Sequence, residues 1–356
     1  MSIKGAFDYA SVAPRLFALK SRLIDKTKMQ ELAQAEDIGD FLKLLRDTRY
    51  SDHISNAKTM RDVAKGISRK YFEDAMLVLG FSKGSGREII SHMIRFEEGR
   101  TILITSKPLL EGDTSAAMEL ASSLPPYKSL MQLSQNIEGL VSSQGESRVS
   151  VLKRVVELVQ DRVLRKWFEK GVKLYESEQK LALVEAALLT GMLSGINNIL
   201  NKKLGSSNKE LESLLCPLLD YEALRTISNL VKVVSNEHLI SRVINETRAC
   251  RIMPPDLSRA ASSGSFLPLY TMLSEAYGLG IGRVGSEEGA DEKVFIGIRK
   301  LVKRRCEHQF ASYPFTPALP VAGYLLLRLE YTDLMSLISR LLVSQDTLRS
   351  MPQILP

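Results

Sequence analysis

Apolar side chains in this sequence recur mostly at three- and four-residue intervals, the spacing that lines one face of an α-helix. Leu152, Val155, Val156, Val159 and Val163 share a face while Lys153, Arg154, Glu157, Gln160 and Asp161 fill the other, which predicts one amphipathic helix through the stretch. The same spacing at Leu16, Leu19 and Leu23, at Phe41, Leu44 and Leu45, and at Leu334, Leu337, Ile338, Leu341 and Leu342 predicts further helices. No apolar–polar alternation of strand length is flanked by hairpin turn residues, so the expected fold class is all-α.

Glycine and proline clusters at 80–86 (GFSKGSG), 124–127 (LPPY), 202–208 (KKLGSSN), 252–256 (IMPPD) and 278–289 (GLGIGRVGSEEG) read as helix ends and short connections. Three stretches, His92 to Ile104, Val184 to Leu200 and Tyr324 to Leu342, share a layout of polar approach, apolar helix and polar exit. Shared layout with little identity suggests an internal triplication.

With 356 residues, 44% of them apolar, the chain has enough material for two or three domains with their own cores. The 48 Lys and Arg against 41 Asp and Glu give a net charge of +7 spread along the length, without the basic tail of a nucleic-acid binder. Cys216, Cys250 and Cys306, separated by 34 and 56 residues, exclude a compact disulfide framework and a CxxC zinc site and fit a reducing compartment. The opening MSIKGAFDYA has no apolar core of signal-peptide length, so export is not expected. Of the two longest stretches without Asp, Glu, Lys or Arg, His308–Leu327 is broken by Pro314, Pro317 and Pro320, and Ala186–Asn201 spans only 16 residues and carries Asn197, Asn198 and Asn201. Neither reads as a membrane span.

Catalytic patterns are weak throughout. Gly280, Gly282 and Gly285 satisfy GxGxxG, but a predicted helix, Leu267 to Tyr277, precedes them where a strand is required, and four carboxylates follow between Ser286 and Glu292. Gly84 and Gly86 before Arg87 lack the Lys-Ser or Lys-Thr pair of a phosphate-binding loop. His53, His92, His238 and His308 lie far apart, none with a ligand-type residue at i+4, and Cys306, Glu307 and His308 point in different directions on a helix. With no nucleophile elbow either, neither a catalytic site, a cofactor site nor a metal site is expected. The densest basic cluster is Lys300, Lys303, Arg304 and Arg305, and with Trp167 the only tryptophan there are no interleaved aromatics to stack bases. A solvated face or a docking patch for an acidic partner remain the readings of that cluster, and nucleic acid is not expected.

Particular strings carry a resemblance. Residues 9–24 (YASVAPRLFALKSRLI) and 41–54 (FLKLLRDTRYSDHI) resemble the opening of the C subunit of archaeal and V-type rotary ATPases, which is similar to the eukaryotic d subunit. The matching positions are Arg15, Lys20, Ser21, Leu23 and Ile24, then Leu44, Leu45, Asp47, Thr48 and Tyr50. Residues 196–227 resemble the family's apolar helix, basic exit, Leu-Gly turn and proline-containing restart, and 313–338 its closing proline-rich turn and Tyr-Leu-Leu helix. The family's Asn-Leu-Lys-type helix signature is replaced by Glu98, Gly99 and Arg100 in the first segment, is absent around Gly191 to Ile196, and reads Asp333, Leu334, Met335 in the last.

The resemblance implies three similar helical domains, here 1–106, 107–212 and 213–356, set with pseudo-threefold symmetry as a funnel. It further implies a non-catalytic socket on the cytoplasmic face of the membrane, peripheral to it, between central-stalk subunits of D and F type and a rotor ring of c or K type. A torque-bearing adaptor needs stiff helices and two docking surfaces but no reactive group. Arg15, Lys20 and Arg22 early, and Lys300, Lys303, Arg304 and Arg305 late, are the candidate docking residues. Asp47, Thr48 and Tyr50 read as capping and packing residues instead. An unrelated all-α scaffold that binds another protein is the alternative.

Overall fold

A computed structural model of the chain describes residues 10–140, 147–202, 206–280, 286–312 and 315–345. These form seventeen helices and no strand: α1 (Ala13–Lys20), α2 (Lys26–Ala33), α3 (Ile38–Leu45), α4 (Ser51–Ile54), α5 (Met60–Phe81), α6 (Gly84–Leu110), α7 (Thr114–Ser123), α8 (Lys128–Leu140), α9 (Arg148–Glu157), α10 (Arg162–Glu178), α11 (Leu181–Leu200), α12 (Ser206–Val233), α13 (Glu237–Glu246), α14 (Pro254–Ser263), α15 (Leu267–Tyr277), α16 (Glu287–Ala311) and α17 (Ala318–Gln345). The fold class is all-α.

Helix ends follow local chemistry. The Thr59 hydroxyl accepts the Asp62 N–H while the Asp62 carboxylate accepts the Thr59 N–H at 2.9 Å, a reciprocal cap that opens α5. Asp25, Asp37, Asp113, Asn236 and Ser286 cap α2, α3, α7, α13 and α16 in the simpler one-way manner. Gly264 and Gly278, with φ of 68° and 61°, close α14 and α15 where a side chain would be strained. Gly280 lies just past that second closure, and Gly282 and Gly285 of the GxGxxG pattern fall outside the described residues.

One expected helix is two. The apolar stripe from Leu152 to Val163 is interrupted because Asp161 turns its carboxylate onto the N–H groups of Val163 and Leu164, at 2.8 and 2.9 Å, and starts α10 afresh. Leu152, Val155, Val156 and Val159 are buried, whereas Val163, after the break, is 37% exposed. A capping aspartate here outweighs apolar periodicity.

Two cores result. The smaller joins Leu32, Phe41, Leu45, Tyr50 and Ile67 of the amino-terminal helices to Leu334, Ile338 and Leu341 in the second half of α17, so the two ends of the described chain share one core. The larger runs through the remaining helices. Among the described residues α11 is the one helix long and apolar enough to cross a membrane, but 67% of that window is buried inside the protein against α6, α10 and α12. Its packing explains Gly191 and Gly195. A Cβ on Gly195 would stand 2.4 Å from the His92 ring and one on Gly191 2.5 Å from the Trp167 ring, and those two rings stack with centroids 5.9 Å apart. The stretch from Gly191 to Ile196 is thus a notch that lets α6 and α10 approach α11.

Along the chain, three short helices followed by long ones occur three times: α2–α4 before α5, α7–α9 before α10, and α13–α15 before α16. Positions 106 and 212, where the domain boundaries are expected, each fall inside a long helix, α6 and α12.

Candidate functional site

The long helices α6, α12 and α17 each carry an apolar residue followed by glutamate at the level where they approach one another: Phe96-Glu97-Glu98-Gly99-Arg100-Thr101-Ile102, Tyr221-Glu222-Ala223-Leu224-Arg225-Thr226-Ile227 and Leu329-Glu330-Tyr331-Thr332-Asp333-Leu334-Met335. The three glutamates are drawn into charge clusters. Arg328 places Nε 2.7 Å from Glu97 Oε1 and Nη2 3.6 Å from Glu222 Oε1, and Arg100 reaches the other Glu222 oxygen at 3.8 Å and Glu185 at 3.2 Å. Tyr71 and Tyr127 donate their hydroxyls to Glu97 Oε2 at 2.6 and 2.9 Å. Burial alone would push the Glu222 carboxyl up, but the guanidinium groups of Arg100, Arg328 and Arg225 outweigh it and hold the group below the ordinary carboxylate range.

Glu330 faces the amino-terminal helices. Arg49 donates to its Oε1 from Nε at 3.0 Å and Nη2 at 2.7 Å, Tyr50 donates its hydroxyl at 2.7 Å, and the Ile24 N–H meets Oε2 at 2.5 Å. The remaining Arg49 nitrogen, Nη1, pairs with Asp74, which Lys70 also holds at 2.9 Å. These side chains of Arg49, Asp74 and Glu330 are at most 5% exposed. Burial opposes the charge on Arg49, yet Tyr50, Glu330 and Asp74 raise its pKa overall. In the third string Asp333 replaces arginine and is met by Arg299 of α16 at 2.6 Å.

Beside these clusters runs a trough. A groove of about 610 Å3 lies between α12, α16 and α17, with Tyr221, Phe295, Ile296 and Leu329 as its apolar wall. Through Arg328 and Thr332 it continues into a smaller hollow of about 110 Å3 beside Tyr71, Tyr127 and Met335. It offers an apolar bed with charged edges, the make-up of a reversible protein-docking surface.

The basic residues singled out in the sequence are not one surface. Lys300 and Lys303 line the trough. Arg304 is exposed beside them, while Arg305 turns to the other side of α16 and donates to the Ser213 carbonyl at 2.5 Å. Arg15 and Arg22 edge a recess of about 1000 Å3 whose inner end is Arg49 and Asp74. Lys20 lies 4.9 Å over the Phe310 ring. The Thr48 hydroxyl donates to the Leu45 carbonyl at the end of α3, and Tyr50 is fully buried with its hydroxyl on Glu330.

Sequence reasoning missed two features. Glu97, Glu222, Arg328 and Glu330 look like a solvated face, and an aromatic or leucine before glutamate, which recurs eight times in the chain, does not single them out. Cys216 and Cys250, 34 residues apart, form a disulfide with Cα atoms 5.4 Å apart, a single cross-link between α12 and a loop and not a framework. Among the described residues no group of three His, Cys, Asp or Glu is placed to hold a metal.

Over 238 residues the chain is 22% identical to the C subunit of the A-type ATP synthase of Thermococcus kodakarensis, covering 62% of this chain and 65% of that protein, a little under two thirds of its length. The model of the ATP synthase (C/AC39) subunit family matches residues 12–342, which take in the amino-terminal helices, all three glutamate strings and most of α17. With that extent matched, the chain belongs to the ATP synthase (C/AC39) subunit family.

Proposed function

We propose that the chain is a non-catalytic central-stalk subunit of an archaeal or V-type ATP synthase or ATPase, a socket that couples the rotating stalk to the membrane rotor ring during ion transport. The observation that carries this is the family match over residues 12–342. The T. kodakarensis relative, part of an A-type ATP synthase by name, supports the same complex. An unrelated scaffold is set aside by the family match.

In this reading three helical units, 1–106, 107–212 and 213–356, surround an axis and open as a funnel. The repeated order of three short helices before a long one supports it, as do the three glutamate strings converging through Arg100 and Arg328. The boundaries lie within α6 and α12 because those helices serve neighbouring units. The trough is where the foot of the stalk, of D and F type, sits. Lys300, Lys303 and Arg304 steer it, while Arg15, Lys20, Arg22 and Arg305 meet other neighbours, the ring of c or K type among them. The protein is then peripheral, held to the cytoplasmic face of the membrane through the ring.

The physical case rests on stiffness. Packed helices whose charges are paired across helices transmit torque with little yielding, and a trough with apolar walls and charged edges grips without covalent chemistry. Native mass spectrometry of the rotor complex purified through a tagged copy of this chain tests the reading. Stalk and ring subunits at one copy of this chain per rotor are expected. A rotor that assembles and stays fully coupled without the chain contradicts it.

A further inference from the structure

A separate groove of about 860 Å3 opens where α11 gives way to α12. Its walls bring together Lys209 of α12, Arg248 and Arg251 of the segment between α13 and α14, and Arg305 of α16. Among the described residues that line it, Glu212 is the one carboxylate against four cations, and no carboxylate of the described residues lies within ion-pair distance of any of the four.

Two of the cations are fixed without being neutralised. Arg251 donates to the Ala276 carbonyl at 2.6 Å and stacks 4.7 Å over the Tyr277 ring, and Arg305 is held by the Ser213 carbonyl at 2.5 Å. Burial, together with the like charges of Arg251 and Arg304, lowers the Arg305 pKa, partly opposed by Tyr277, as expected for a cation short of a counter-charge. Arg248 and Lys209 are exposed at the rim. Between them lie Leu200, Pro254 and Met253, the last 53% exposed.

The segment bearing Arg248 and Arg251 is clasped twice to α12. The Cys216–Cys250 bridge ties it, and one turn on, Asp220 Oδ1 accepts the N–H groups of Cys250 and Arg251 at 2.7 and 3.0 Å while the Tyr277 hydroxyl donates to its other oxygen. Holding the guanidinium groups in place before binding lowers the ordering cost of any ligand they meet.

We propose that this groove is a docking site for an acidic peptide segment of a partner protein. Its carboxylates pair with Lys209, Arg248, Arg251 and Arg305, and an apolar side chain between them packs on Leu200 and Met253. The charge complementarity is the argument for the occupant. The layout argues against a lone phosphate, because the cations come from three separate elements around an open wall with apolar residues between them, instead of converging with backbone N–H groups on one point. The site is distinct from the trough and does not depend on the stalk reading.

Fluorescence anisotropy on the full chain tests it, with a labelled peptide of about twelve residues built from Glu-Glu-Leu repeats and a Lys-Lys-Leu peptide as its opposite. The acidic peptide is expected to bind, more weakly as salt rises, and the basic one not to bind. Lys209→Glu with Arg248→Glu, both at exposed positions, is expected to weaken Kd about tenfold or more, while the matched reversal Lys128→Glu with Lys166→Glu leaves it unchanged. Circular dichroism of both double variants confirms that they fold. No binding of the acidic peptide, or binding untouched by the groove reversal, overturns the proposal. So does a result in which inorganic phosphate or phosphatidylserine vesicles bind through Lys209 and Arg248 and the peptide does not.

Discussion

Replacing Arg49 by Met removes the one side chain among the described residues that joins Glu330 of α17 to Asp74 of α5. The arginine donates to Glu330 at 3.0 and 2.7 Å and pairs with Asp74, and all three side chains are at most 5% exposed. After the change, among the described residues, Glu330 keeps the Tyr50 hydroxyl and the Ile24 N–H but faces no cation, and Asp74 keeps only Lys70. Stranding a buried carboxylate in this way costs about 3–5 kcal/mol, a large part of a folding free energy of about 5–15 kcal/mol. Glu330→Gln, which leaves the guanidinium with Asp74 as its carboxylate partner, is expected to cost less, about 1–3 kcal/mol. In Arg49→Met/Glu330→Gln both charges leave together, so the loss should fall short of the sum of the single changes by about 1–3 kcal/mol. Urea unfolding at pH 7 followed by circular dichroism measures all three. Single changes costing under about 1 kcal/mol, or a double variant equal to the sum, would refute the idea that this cluster ties the amino-terminal helices to α17.

Breaking the Cys216–Cys250 bridge, which closes a 34-residue separation, should cost about 3–4 kcal/mol of loop-closure entropy, so dithiothreitol should lower the Tm; an unchanged Tm speaks against the cross-link. After reduction two thiols should react with Ellman's reagent in the folded chain, while burial, which pushes the Cys306 thiol up, keeps the third silent until unfolding. Gly191→Ala sets a methyl 2.5 Å from Trp167, so a loss of about 1–3 kcal/mol and a shift in emission of the only tryptophan are expected, and unchanged fluorescence would show the notch to be loose. Burial chiefly, with Arg95 adding to it and Glu88 and Asp161 opposing, lowers the His92 pKa. The unfolded chain therefore takes up this proton first as pH falls below about 6.5, and stability drops from there down to the lower folded-state pKa. His92→Gln should remove that part of the drop in urea midpoint between pH 7.5 and 5.5, and an identical pH profile in the variant would contradict the assignment.

The helical class and many core positions were legible because apolar periodicity is a local signal: Phe41, Leu45, Leu334 and Ile338 are buried as their spacing predicts. Val163 failed because a single capping aspartate stopped the helix before it, an interaction that periodicity does not weigh. The Glu97–Arg328 pair was illegible for a different reason. Glu97 and Arg328 stand 231 positions apart in sequence and 2.7 Å apart in space, and a residue's charge does not announce whether its counter-ion is water or another helix. The cluster from Lys300 to Arg305 shows the same limit: residues adjacent in sequence divide between the trough and the second groove because successive positions on a helix point apart.

The central claim is that this chain is the socket between stalk and ring, and a cryo-electron microscopy map of the rotor complex containing it tests that most directly. The account predicts a stalk protein seated against Tyr221, Phe295, Leu329 and Thr332, with this chain resting on the ring. A map in which that trough is covered by something other than the stalk, or from which the chain is missing while stalk and ring meet directly, would contradict it.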